Sequence, residues 1–551
     1  MKEILEGKLF NFLQSKKIEL EPYKVEVLKS RNEEFGNYST NLPMKLTKFL
    51  KQNPLEIAKE LKTYLLTNSP DIFDDLTITK PGFVNMFLTT EIILKNALEF
   101  YDPNYSPKFN KLEKCNINYE FVSANPTGDL HVGHARNALV GDATIKLLET
   151  AGHTVHREFW INDAGMQMEN LAKAIYYYYI KELTKKEPYP IEEVSYKGIE
   201  IKEYGIELAK SNPEFKDLSQ KEAEDKIRPL ARDNFLARMK VIFDQLGLVP
   251  FDTYTSELSF YESGEVDRTI KLLKKNNATY EKDGALWLKS KAHGDDKDRV
   301  LVKSDGSMTY MVPDIGYHSN KFARGFDTLI DLWGADHHGY EKRLKIGVSM
   351  LGHDINKINV DFINMVQIKE NGTLVKMSKR AGTSLRIKDI LELVDPQILR
   401  YSILSKSKEQ SLEIDLTKIK EETQTNPFFY NQYANARIFH ILEKYKKEVN
   451  KTLPHITNFI MLGKDLKEND LLLKMVEYPD VILQANKEKE PSIVTKYLKD
   501  LAQEFNSYYN VCMVISEDDQ LTNERITLMI ALKNLFEKLF YIIGITPLNK
   551  M

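Results

Sequence analysis

The segment SANPTGDLHVGH, residues 123–134, decides the fold of this 551-residue chain. Before it, apolar and polar residues alternate over 115–121, a period of two that predicts a β-strand. After it, apolar residues recur at helical spacing over 132–147, which predicts an amphipathic helix. The order is therefore strand, turn and helix, with His131 and His134 where the helix begins. A helix start offers unpaired backbone N–H groups and the positive end of the helix dipole, which suits a phosphate group.

Two histidines three residues apart also have a plainer explanation, as a surface pair or half of a zinc site. A second motif, KMSKRAGT at residues 376–383, favours nucleotide chemistry instead. The text before it predicts a β-hairpin around Asn371-Gly372. Its lysines, Lys376 and Lys379, suit a reaction in which a phosphate leaving group gains charge, because they can stabilise the transition state more than the ground state. A lone basic loop of this kind would indicate only a solvated charge run.

Segment 123–134 resembles the HIGH motif of the class I aminoacyl-tRNA synthetases, with Val132 in place of the usual isoleucine. Residues 376–380 resemble the KMSKS loop of the same family, with Arg380 at its last position. The resemblance implies adenylation of a carboxylate by ATP, then transfer of the acyl group to a ribose hydroxyl of tRNA. It implies charge stabilisation rather than nucleophilic attack by the catalytic residues, which are His131, His134, Lys376 and Lys379. The implied ATP-binding residues are His131, Gly133, His134, Asp336, His337, Lys376, Met377, Ser378 and Lys379. Mg²⁺ is expected with ATP, held by phosphates and water rather than by a protein cage.

Longer stretches resemble one family in particular, the arginyl-tRNA synthetases. These stretches are REFWINDAG at 157–165, WGADHHGY at 333–340, NPFFYNQYANAR at 426–437 and the C-terminal GITP at 544–547. The implied substrate is L-arginine, whose planar guanidinium is best bound by carboxylates and neutral acceptors at fixed angles. By this resemblance, the arginine-binding residues are Glu120, Ser123, Asn125, His134, Tyr310 and Asp314.

Two of these assignments have structural alternatives. Glu120 could be a surface residue of its strand, and Asp314 could cap a helix. Spacing also does not decide which of the two carboxylates touches the guanidinium.

The length and the text along the chain predict three domains. The expected fold is an α/β Rossmann-like parallel-sheet catalytic domain over 109–392, with an α+β N-terminal module over 1–108 and an all-α C-terminal anticodon-binding bundle over 393–551. A helical insertion is expected to split the catalytic domain at about 168–300. From residue 395 onward the chain is expected to be helical throughout.

The resemblance also implies that both outer domains contact tRNA. The implied residues are Phe35, Tyr38 and Phe83 in the N-terminal module, and Tyr433, Asn435 and Arg437 in the C-terminal helices. A nucleobase stacked on an aromatic ring gains about 1–3 kcal/mol, but core packing is the alternative for the three N-terminal aromatics. Tyr433 and Arg437 could equally form a stacked pair within one helix. The resemblance further predicts that arginine activation requires bound tRNA.

Composition limits the remaining possibilities. The chain has 77 basic and 80 acidic residues and a formal net charge of −3, so tRNA must be held by local basic patches rather than by a long-range positive field. Cys115 and Cys512 belong to no CxxC pair, which disfavours a disulfide framework or a thiolate zinc site, and no metal site is expected. The first residues predict a helix rather than a signal peptide, and no apolar run approaches membrane length. We expect a cytoplasmic protein, monomeric and without a membrane partner.

Three other functions compete with arginine–tRNA ligation. A class I synthetase for cysteine should carry thiolate zinc ligands, and one for glutamate should carry a basic residue where Glu120 and Asp314 stand. A tRNA-binding protein without enzymatic activity should have lost the motif histidines or lysines, and all four are present. A P-loop nucleotide-binding protein is excluded because the chain contains no G-x-x-x-x-G-K-[ST] sequence.

Overall fold

The structure is a computed structural model, and it describes residues 1–19, 25–30, 32–109, 112–375, 385–449 and 452–551. The lysine motif at 376–383 lies outside the described residues, so the structure says nothing of its four implied site residues, Lys376, Met377, Ser378 and Lys379.

The N-terminal region combines helices with an antiparallel sheet, which confirms the α+β prediction. Its elements are α1 (Lys2–Ser15), β1 (Leu28–Lys29), β2 (Tyr38–Thr40), α2 (Leu42–Leu50), α3 (Pro54–Asn68), β3 (Phe73–Thr79), β4 (Phe83–Leu88) and α4 (Thr90–Ala97). The strands follow the order β1-β2-β4-β3, and each neighbouring pair is antiparallel.

A five-stranded parallel sheet forms the centre of the molecule, as the Rossmann-like prediction requires. Its strands and the helices between them begin with β5 (Asn116–Glu120), α5 (Val132–Thr150), β6 (Thr154–Ile161), α6 (Met166–Thr184), α7 (Ile199–Ser211), α8 (Gln220–Gln245) and β7 (Thr253–Ser256). The chain then continues through α9 (Glu257–Glu262), α10 (Glu265–Lys275), β8 (Thr279–Lys282), β9 (Ala285–Leu288), β10 (Arg299–Val302), α11 (Met311–Ala323), β11 (Thr328–Gly334), α12 (His338–Ser349) and β12 (Ile358–Ile363).

The order of strands in this sheet is β12-β11-β5-β6-β7. The chain starts in the middle at β5, adds β6 and β7 on one side, and later adds β11 and β12 on the other side. The order therefore reverses between β5 and β11. In open α/β sheets, ligands bind at the carboxyl ends of the strands beside such a reversal.

The expected helical insertion at about 168–300 is only partly helical. Helices α6 to α8 fill its first half, but β7 then returns to the parallel sheet as its edge strand. Strands β8, β9 and β10 form a separate antiparallel sheet. Each of these strands is only four residues long, too short for a clear period-two signal, which explains why the sequence pattern did not reveal them.

The predicted hairpin around Asn371-Gly372 is confirmed, as β13 (Val366–Glu370) and β14 (Thr373–Leu374). Strand β15 (Leu412–Asp415) pairs with β13 in parallel, so the expectation of an all-helical chain from residue 395 onward is wrong at this point. Strand β15 is stabilised by pairing with the edge of β13 that β14 does not occupy. Local sequence patterns do not reveal such a long-range pairing.

The C-terminal region is otherwise helical. Its helices are α13 (Ile387–Leu391), α14 (Pro396–Leu404), α15 (Pro427–Glu448), α16 (Leu466–Val476), α17 (Tyr478–Glu488), α18 (Pro491–Val511) and α19 (Asp519–Ile543). Helix α5 is buried along almost its whole length, because it packs against the parallel sheet on one side and against the C-terminal helices on the other. None of the described helices combines the length and the apolar character that a membrane span requires.

Candidate active site

A strained turn links strand β5 to the loop that leads into helix α5. Val122 and Ser123 have φ angles of +66° and +38°, a region that β-branched residues rarely adopt. Asn137 of α5 accepts a hydrogen bond from the Val122 backbone N–H at 2.7 Å. The Ser123 hydroxyl donates to Glu120 Oε1 at 2.9 Å and accepts from the Trp160 N–H at 3.1 Å. Strain held in place by so many contacts is typical of functional sites.

The two motif histidines cap the start of helix α5. His131 Nδ1 accepts a hydrogen bond from the Gly133 N–H at 3.1 Å, and His134 Nδ1 accepts from the His131 N–H at 3.2 Å. The two rings stack with centroids 3.7 Å apart. Since both Nδ1 atoms act as acceptors, each neutral ring carries its proton on Nε2, where it can donate to a phosphate oxygen.

Gly133 leaves room for the His131 ring at the start of the helix. A Cβ at this position would lie 3.0 Å from Cε1 and 3.1 Å from Nδ1 of that ring. A larger residue would therefore crowd the ring, which would have to shift by a few tenths of an ångström.

A cleft of about 820 Å³ opens at the carboxyl ends of β5 and β11, where the strand order reverses. Of the residues implied by the sequence, it brings together Glu120, Ser123, Asn125, Tyr310, Asp314, Asp336 and His337. His131 and His134 line a neighbouring cavity of about 470 Å³, which shares Asn125 and Gln167 with the first.

A chain of side-chain amides fixes Asn125 between the two cavities. Its Oδ1 accepts from Asn162 Nδ2 at 2.7 Å, and its Nδ2 donates to Gln167 Oε1 at 2.8 Å. Asn162 belongs to the 157–165 stretch singled out by resemblance. The oxygen and the nitrogen of the Asn125 amide each have a partner, and these two hydrogen bonds fix the orientation of the amide.

Glu120 and Asp314 have different electrostatic partners. Glu120 Oε2 accepts from Lys321 Nζ at 2.7 Å, and this fully buried ammonium also contacts Asp331 Oδ1 at 2.9 Å. Asp314 Oδ2 accepts instead from the neutral Tyr340 hydroxyl at 2.6 Å. Burial raises the pKa of Asp314 to about 6, although the hydrogen bond from Tyr340 opposes the shift.

Glu120 is therefore not a surface residue of its strand, since it is 8% exposed. Asp314 lies in the first turn of α11, where its side chain bonds to Tyr340 and makes no cap hydrogen bond. Tyr310 directly precedes that helix, and its ring is 62% exposed at the mouth of the cleft.

The sequence did not reveal one further carboxylate in the cleft, Glu257. It begins helix α9, immediately after the edge strand β7. Burial raises its pKa to about 7, and the charges of Asp314 and Asp163 add to the shift. Asp163 fixes this helix start, because its Oδ1 accepts from the Leu258 N–H at 3.0 Å and its Oδ2 accepts from the Ser256 hydroxyl at 2.7 Å. The only sequence signal for Glu257 would have been its position directly after a strand of the parallel sheet, and that strand was not predicted.

Lys321 also went unrecognised, although the sequence contained a signal for it. Asp314, His318 and Lys321 recur at spacings of four and seven residues, which places them on one face of helix α11. His318 Nε2 lies 2.9 Å from Asp331 Oδ2. Burial favours the neutral form of Lys321, but the charges of Asp331 and Glu120 outweigh it and raise the Lys321 pKa above its ordinary value.

Asp336 and His337 form an exposed rim on the cleft. They lie in the short 3₁₀ turn after β11, with side chains 82% and 60% exposed. His337 Nε2 is 3.6 Å from Asp336 Oδ2. Both side chains can reach a ligand that lies across the ends of the strands.

The N-terminal aromatics differ in accessibility. Phe35 is 43% exposed and Phe83 is half-buried, so a nucleobase can reach at least the first of them. Tyr38 is 3% exposed in strand β2, so its ring is packed in the core, as the alternative to tRNA binding expects.

The C-terminal residues also divide into accessible and buried ones. The Arg437 guanidinium lies 4.4 Å from the Tyr433 ring centroid and 4.7 Å from that of Tyr509, a residue that the sequence did not reveal. Tyr433 and Tyr509 are 40% and 38% exposed. The stacked pair of Tyr433 and Arg437 within one helix, the alternative given by the sequence, is therefore present, and its tyrosine ring is also accessible. Asn435 is 3% exposed and donates to the Leu548 carbonyl at 2.8 Å, so this side chain is buried among the C-terminal residues and its assignment to tRNA binding stays a prediction.

A parallel sheet with a histidine-capped helix at its strand reversal, and a hairpin followed in the sequence by the lysine motif, is the combination expected of a class I aminoacyl-tRNA synthetase. Three family models match successive parts of the chain, and they agree with this class. They are the arginyl tRNA synthetase N terminal domain at residues 2–88, the catalytic domain of class I (R) tRNA synthetases at 101–423, and the DALR anticodon binding domain at 431–551.

The chain belongs to the arginyl-tRNA synthetase family. It is 38% identical to the arginine–tRNA ligase of Staphylococcus aureus (strain Mu3) over 97% of this chain and 95% of that protein. It is also 38% identical to the arginine–tRNA ligase of Staphylococcus epidermidis, over 96% and 94% of the two chains. The arginyl-tRNA synthetase structure from Thermus thermophilus shares the fold, with a TM-score of 0.78 at 20% identity over the full length of both chains.

Proposed function

We propose that this chain activates L-arginine with ATP to arginyl-adenylate and pyrophosphate, and then transfers arginine to the terminal adenosine ribose of its tRNA. The observation that carries the proposal is the acidic cleft at the strand reversal, which lies beside the histidine-capped helix start. We further propose that the first step requires bound tRNA, that the protein is monomeric and cytoplasmic, and that its domains span 1–108, 109–392 and 393–551.

Asp314 is the carboxylate that we assign to the arginine guanidinium. Glu120 is already bonded to Lys321, whereas Asp314 is bonded to a phenol and carries a raised pKa. A guanidinium bound there would restore the charged form of Asp314, since an opposite charge lowers the pKa of a carboxylate. Glu257 adds negative charge, and Glu120 holds Ser123 in the strained turn.

Asn125 and Tyr310 hold the rest of the amino acid in this proposal. Asn125 lies between the arginine cleft and the cavity of the histidines, so it can orient the α-amino or carboxylate group toward the α-phosphate of ATP. Near-attack placement of two reactants is a large source of catalysis in reactions without a protein nucleophile.

His131, His134 and the helix start stabilise the α-phosphate, and Lys376 and Lys379 stabilise the departing pyrophosphate. Asp336, His337 and the backbone around Gly133, Met377 and Ser378 complete the proposed ATP site. Mg²⁺ enters as the counter-ion of the ATP phosphates, because this cation is usually held by phosphate oxygens and water rather than by a cage of protein ligands.

The tRNA-binding surfaces that we propose are Phe35 and Phe83 at the N-terminal region and the cluster of Tyr433, Arg437 and Tyr509 at the C-terminal helices. An arginine between two accessible tyrosines offers both stacking faces and positive charge to single-stranded bases. This combination suits an anticodon loop better than a double-stranded stem.

Pyrophosphate exchange tests this function. Exchange of labelled pyrophosphate into ATP should depend on arginine and on tRNA together. Citrulline, a neutral isostere of arginine, should support exchange with a kcat/KM about 10⁴-fold lower. In a site built for a guanidinium, this ligand leaves the carboxylates unpaired. Exchange with lysine or glutamate but not with arginine would contradict the assigned specificity.

A further inference from the structure

A buried histidine ties the helix turn that carries Asp314 to the central sheet. His318 lies one turn after Asp314 on α11, and it is 3% exposed. Its Nδ1 is 2.8 Å from the backbone carbonyl oxygen of Asp314, and its Nε2 is 2.9 Å from Asp331 Oδ2 on β11. The ring of His318 therefore connects two walls of the cleft, the start of α11 and the strand β11.

Both ring nitrogens of His318 face hydrogen-bond acceptors. A carbonyl oxygen has no proton to give, so Nδ1 must carry the proton of the first bond. Asp331 is held as a carboxylate by the fully buried Lys321 ammonium, which donates to its other oxygen at 2.9 Å, so Nε2 must carry a proton as well. A neutral imidazole has a single N–H and cannot make both bonds. The two contacts together require an imidazolium ring.

The surroundings of the ring compensate this buried charge. Burial favours the neutral form of His318, but the charge of Asp331 outweighs it and raises the pKa of His318 above its ordinary value. His318 and Lys321 balance Asp331 and Glu120, charge for charge, and Asp314 lies outside this balance. The charged and titratable groups around the His318 ring and the Asp314 carboxylate are Asp331 on β11, Glu120 on β5, Glu257 on α9, Tyr340 on α12, and Tyr317 and Lys321 on α11.

We propose that His318 is a positioning residue that stays doubly protonated in the folded chain, holds the first turn of α11 against β11, and keeps the Asp314 carboxylate ionisable where arginine binds. The inference rests on the proposed binding of the guanidinium by Asp314. Burial raises the pKa of Asp314, and the positive charge of His318 opposes that shift. Without this charge, Asp314 would keep its proton to a higher pH, and arginine would have to displace it.

His353 provides a matched control on the same helix. Its Nε2 is 2.8 Å from the Ser319 hydroxyl oxygen, and its ring stacks on Phe322 with centroids 4.8 Å apart. The ring is half-buried and does not line the cleft. Burial lowers the pKa of His353, so this ring is neutral at pH 7.5. His318→Gln and His353→Gln thus each replace a histidine packed against α11, but only the first removes a charge near Asp314.

The first test is nuclear magnetic resonance of the full chain with ¹⁵N-labelled histidine. One ring should keep protons on both nitrogens up to about pH 8.5, well above the ordinary pKa of a histidine. This signal should be absent from His318→Gln and present in His353→Gln.

The second test is pyrophosphate exchange with saturating tRNA over a range of pH. In His318→Gln the KM for arginine should be about tenfold higher at pH 7, and its rise with falling pH should start at a higher pH, because one pKa unit corresponds to a factor of ten. The kcat at saturating arginine should stay within about threefold of the original, since His318 acts on the arginine pocket. His353→Gln should keep the KM, its pH dependence and the kcat.

Either test can overturn the proposal. If no histidine ring of the folded, unmodified chain is doubly protonated at about pH 8.5, His318 is neutral, and this result needs no variant that folds. A pH dependence of the arginine KM that is unchanged in His318→Gln, or changed equally in His353→Gln, would mean that His318 only stabilises the fold. Absence of arginine-dependent exchange in the unmodified chain would instead contradict the proposed function itself.

Discussion

Burial disfavours the negative charge of the Asp314 carboxylate. Its raised pKa of about 6 means that the folded chain without substrate binds a proton there more tightly than the unfolded chain does. The charged carboxylate therefore costs stability as the pH rises from the ordinary aspartate pKa through about 6. We expect Asp314→Asn to raise the free energy of unfolding of the empty enzyme at pH 7.5 by about 2 kcal/mol. The same substitution should lower kcat/KM for arginine by at least about 30-fold, because it removes one partner of a buried charge pair.

Glu120→Gln is the matched comparison, and its effect on stability should have the opposite sign. Removing the Glu120 charge leaves the buried Lys321 ammonium with less compensation, so we expect a loss of about 3 kcal/mol. Urea unfolding monitored by circular dichroism measures both variants. Destabilisation by Asp314→Asn would show that the Asp314 carboxylate is stabilised in the empty cleft, contrary to its raised pKa.

Arginine binding should be linked to proton release at slightly acid pH. The pKa values of Glu257 and Asp314, about 7 and about 6, are both raised by burial in the same cleft. A bound guanidinium lowers them, so both groups lose protons and the KM for arginine should rise as the pH falls through this range. Calorimetric titration at pH 6.5 in two buffers of different ionisation enthalpy measures the protons released. No release from the unmodified chain, or an equal release from a variant with both Asp314→Asn and Glu257→Gln, would contradict this linkage.

Individual site residues could be predicted from the sequence where a motif or a helical spacing marks them. His131, His134 and Asn125 lie in one short segment, and the structure brings all three to the strand reversal. Glu257 could not be found in this way, because its place in the cleft depends on where β7 joins the sheet. The helical spacing of Asp314, His318 and Lys321 marks a shared face, but the pairing of Lys321 with Glu120 could not be predicted, since 201 positions separate the two residues.

At the scale of the element, the two histidines that cap helix α5 are also the ones to which we assign a catalytic role. His134 accepts the His131 N–H bond through Nδ1, and in the proposed function its Nε2 donates to a phosphate. We expect His134→Ala to lower kcat for exchange by about 10²- to 10³-fold, as loss of one preorganised donor does, with a smaller cost of about 1 kcal/mol for the lost cap. The KM for arginine should change much less.

His134→Gln is the control for that expectation. Its amide can still donate to a phosphate oxygen, so it should recover part of kcat. Steady-state exchange over a range of arginine concentrations separates the two constants. Equal losses in kcat and in arginine affinity for His134→Ala would mean that His134 contacts the ground state only.

The elements with a strong periodic pattern were predictable, and those formed by distant pairing were not. Strand β5, helix α5 and the β13–β14 hairpin follow from local patterns, and the structure confirms all three. Strand β15 and the small β8–β9–β10 sheet exist because partner strands stand beside them. The alternation along β5 indicated a strand, yet its polar residues Asn118 and Glu120 are buried too, because neighbouring strands and helices cover both faces of a parallel sheet.

At the scale of the whole molecule, helix α5 joins the chemistry to the C-terminal helices. Its start carries the histidines, and its length packs against both the parallel sheet and α14, α17, α18 and α19. Any displacement of the C-terminal helices by bound tRNA would therefore act on the helix that carries the proposed ATP-binding histidines. Such a direct connection gives a physical reason to expect tRNA-dependent activation in a protein with no net positive charge.

The cluster of Tyr433, Arg437 and Tyr509 provides the test of that long-range dependence. We expect Tyr433→Ala and Tyr509→Ala each to raise the KM for tRNA by about tenfold, since a stacked base contributes about 1–3 kcal/mol.

Tyr541→Ala is the control, because Tyr541 is 59% exposed on α19 and belongs to no described ring or cation pair with the cluster. Aminoacylation and exchange are measured over a range of tRNA concentrations. The rate of exchange at saturating tRNA should return to that of the unmodified chain, because none of the three cluster residues lines the cleft or the histidine cavity. A KM for tRNA that is unchanged in both tyrosine variants would contradict the proposed tRNA contact of this cluster.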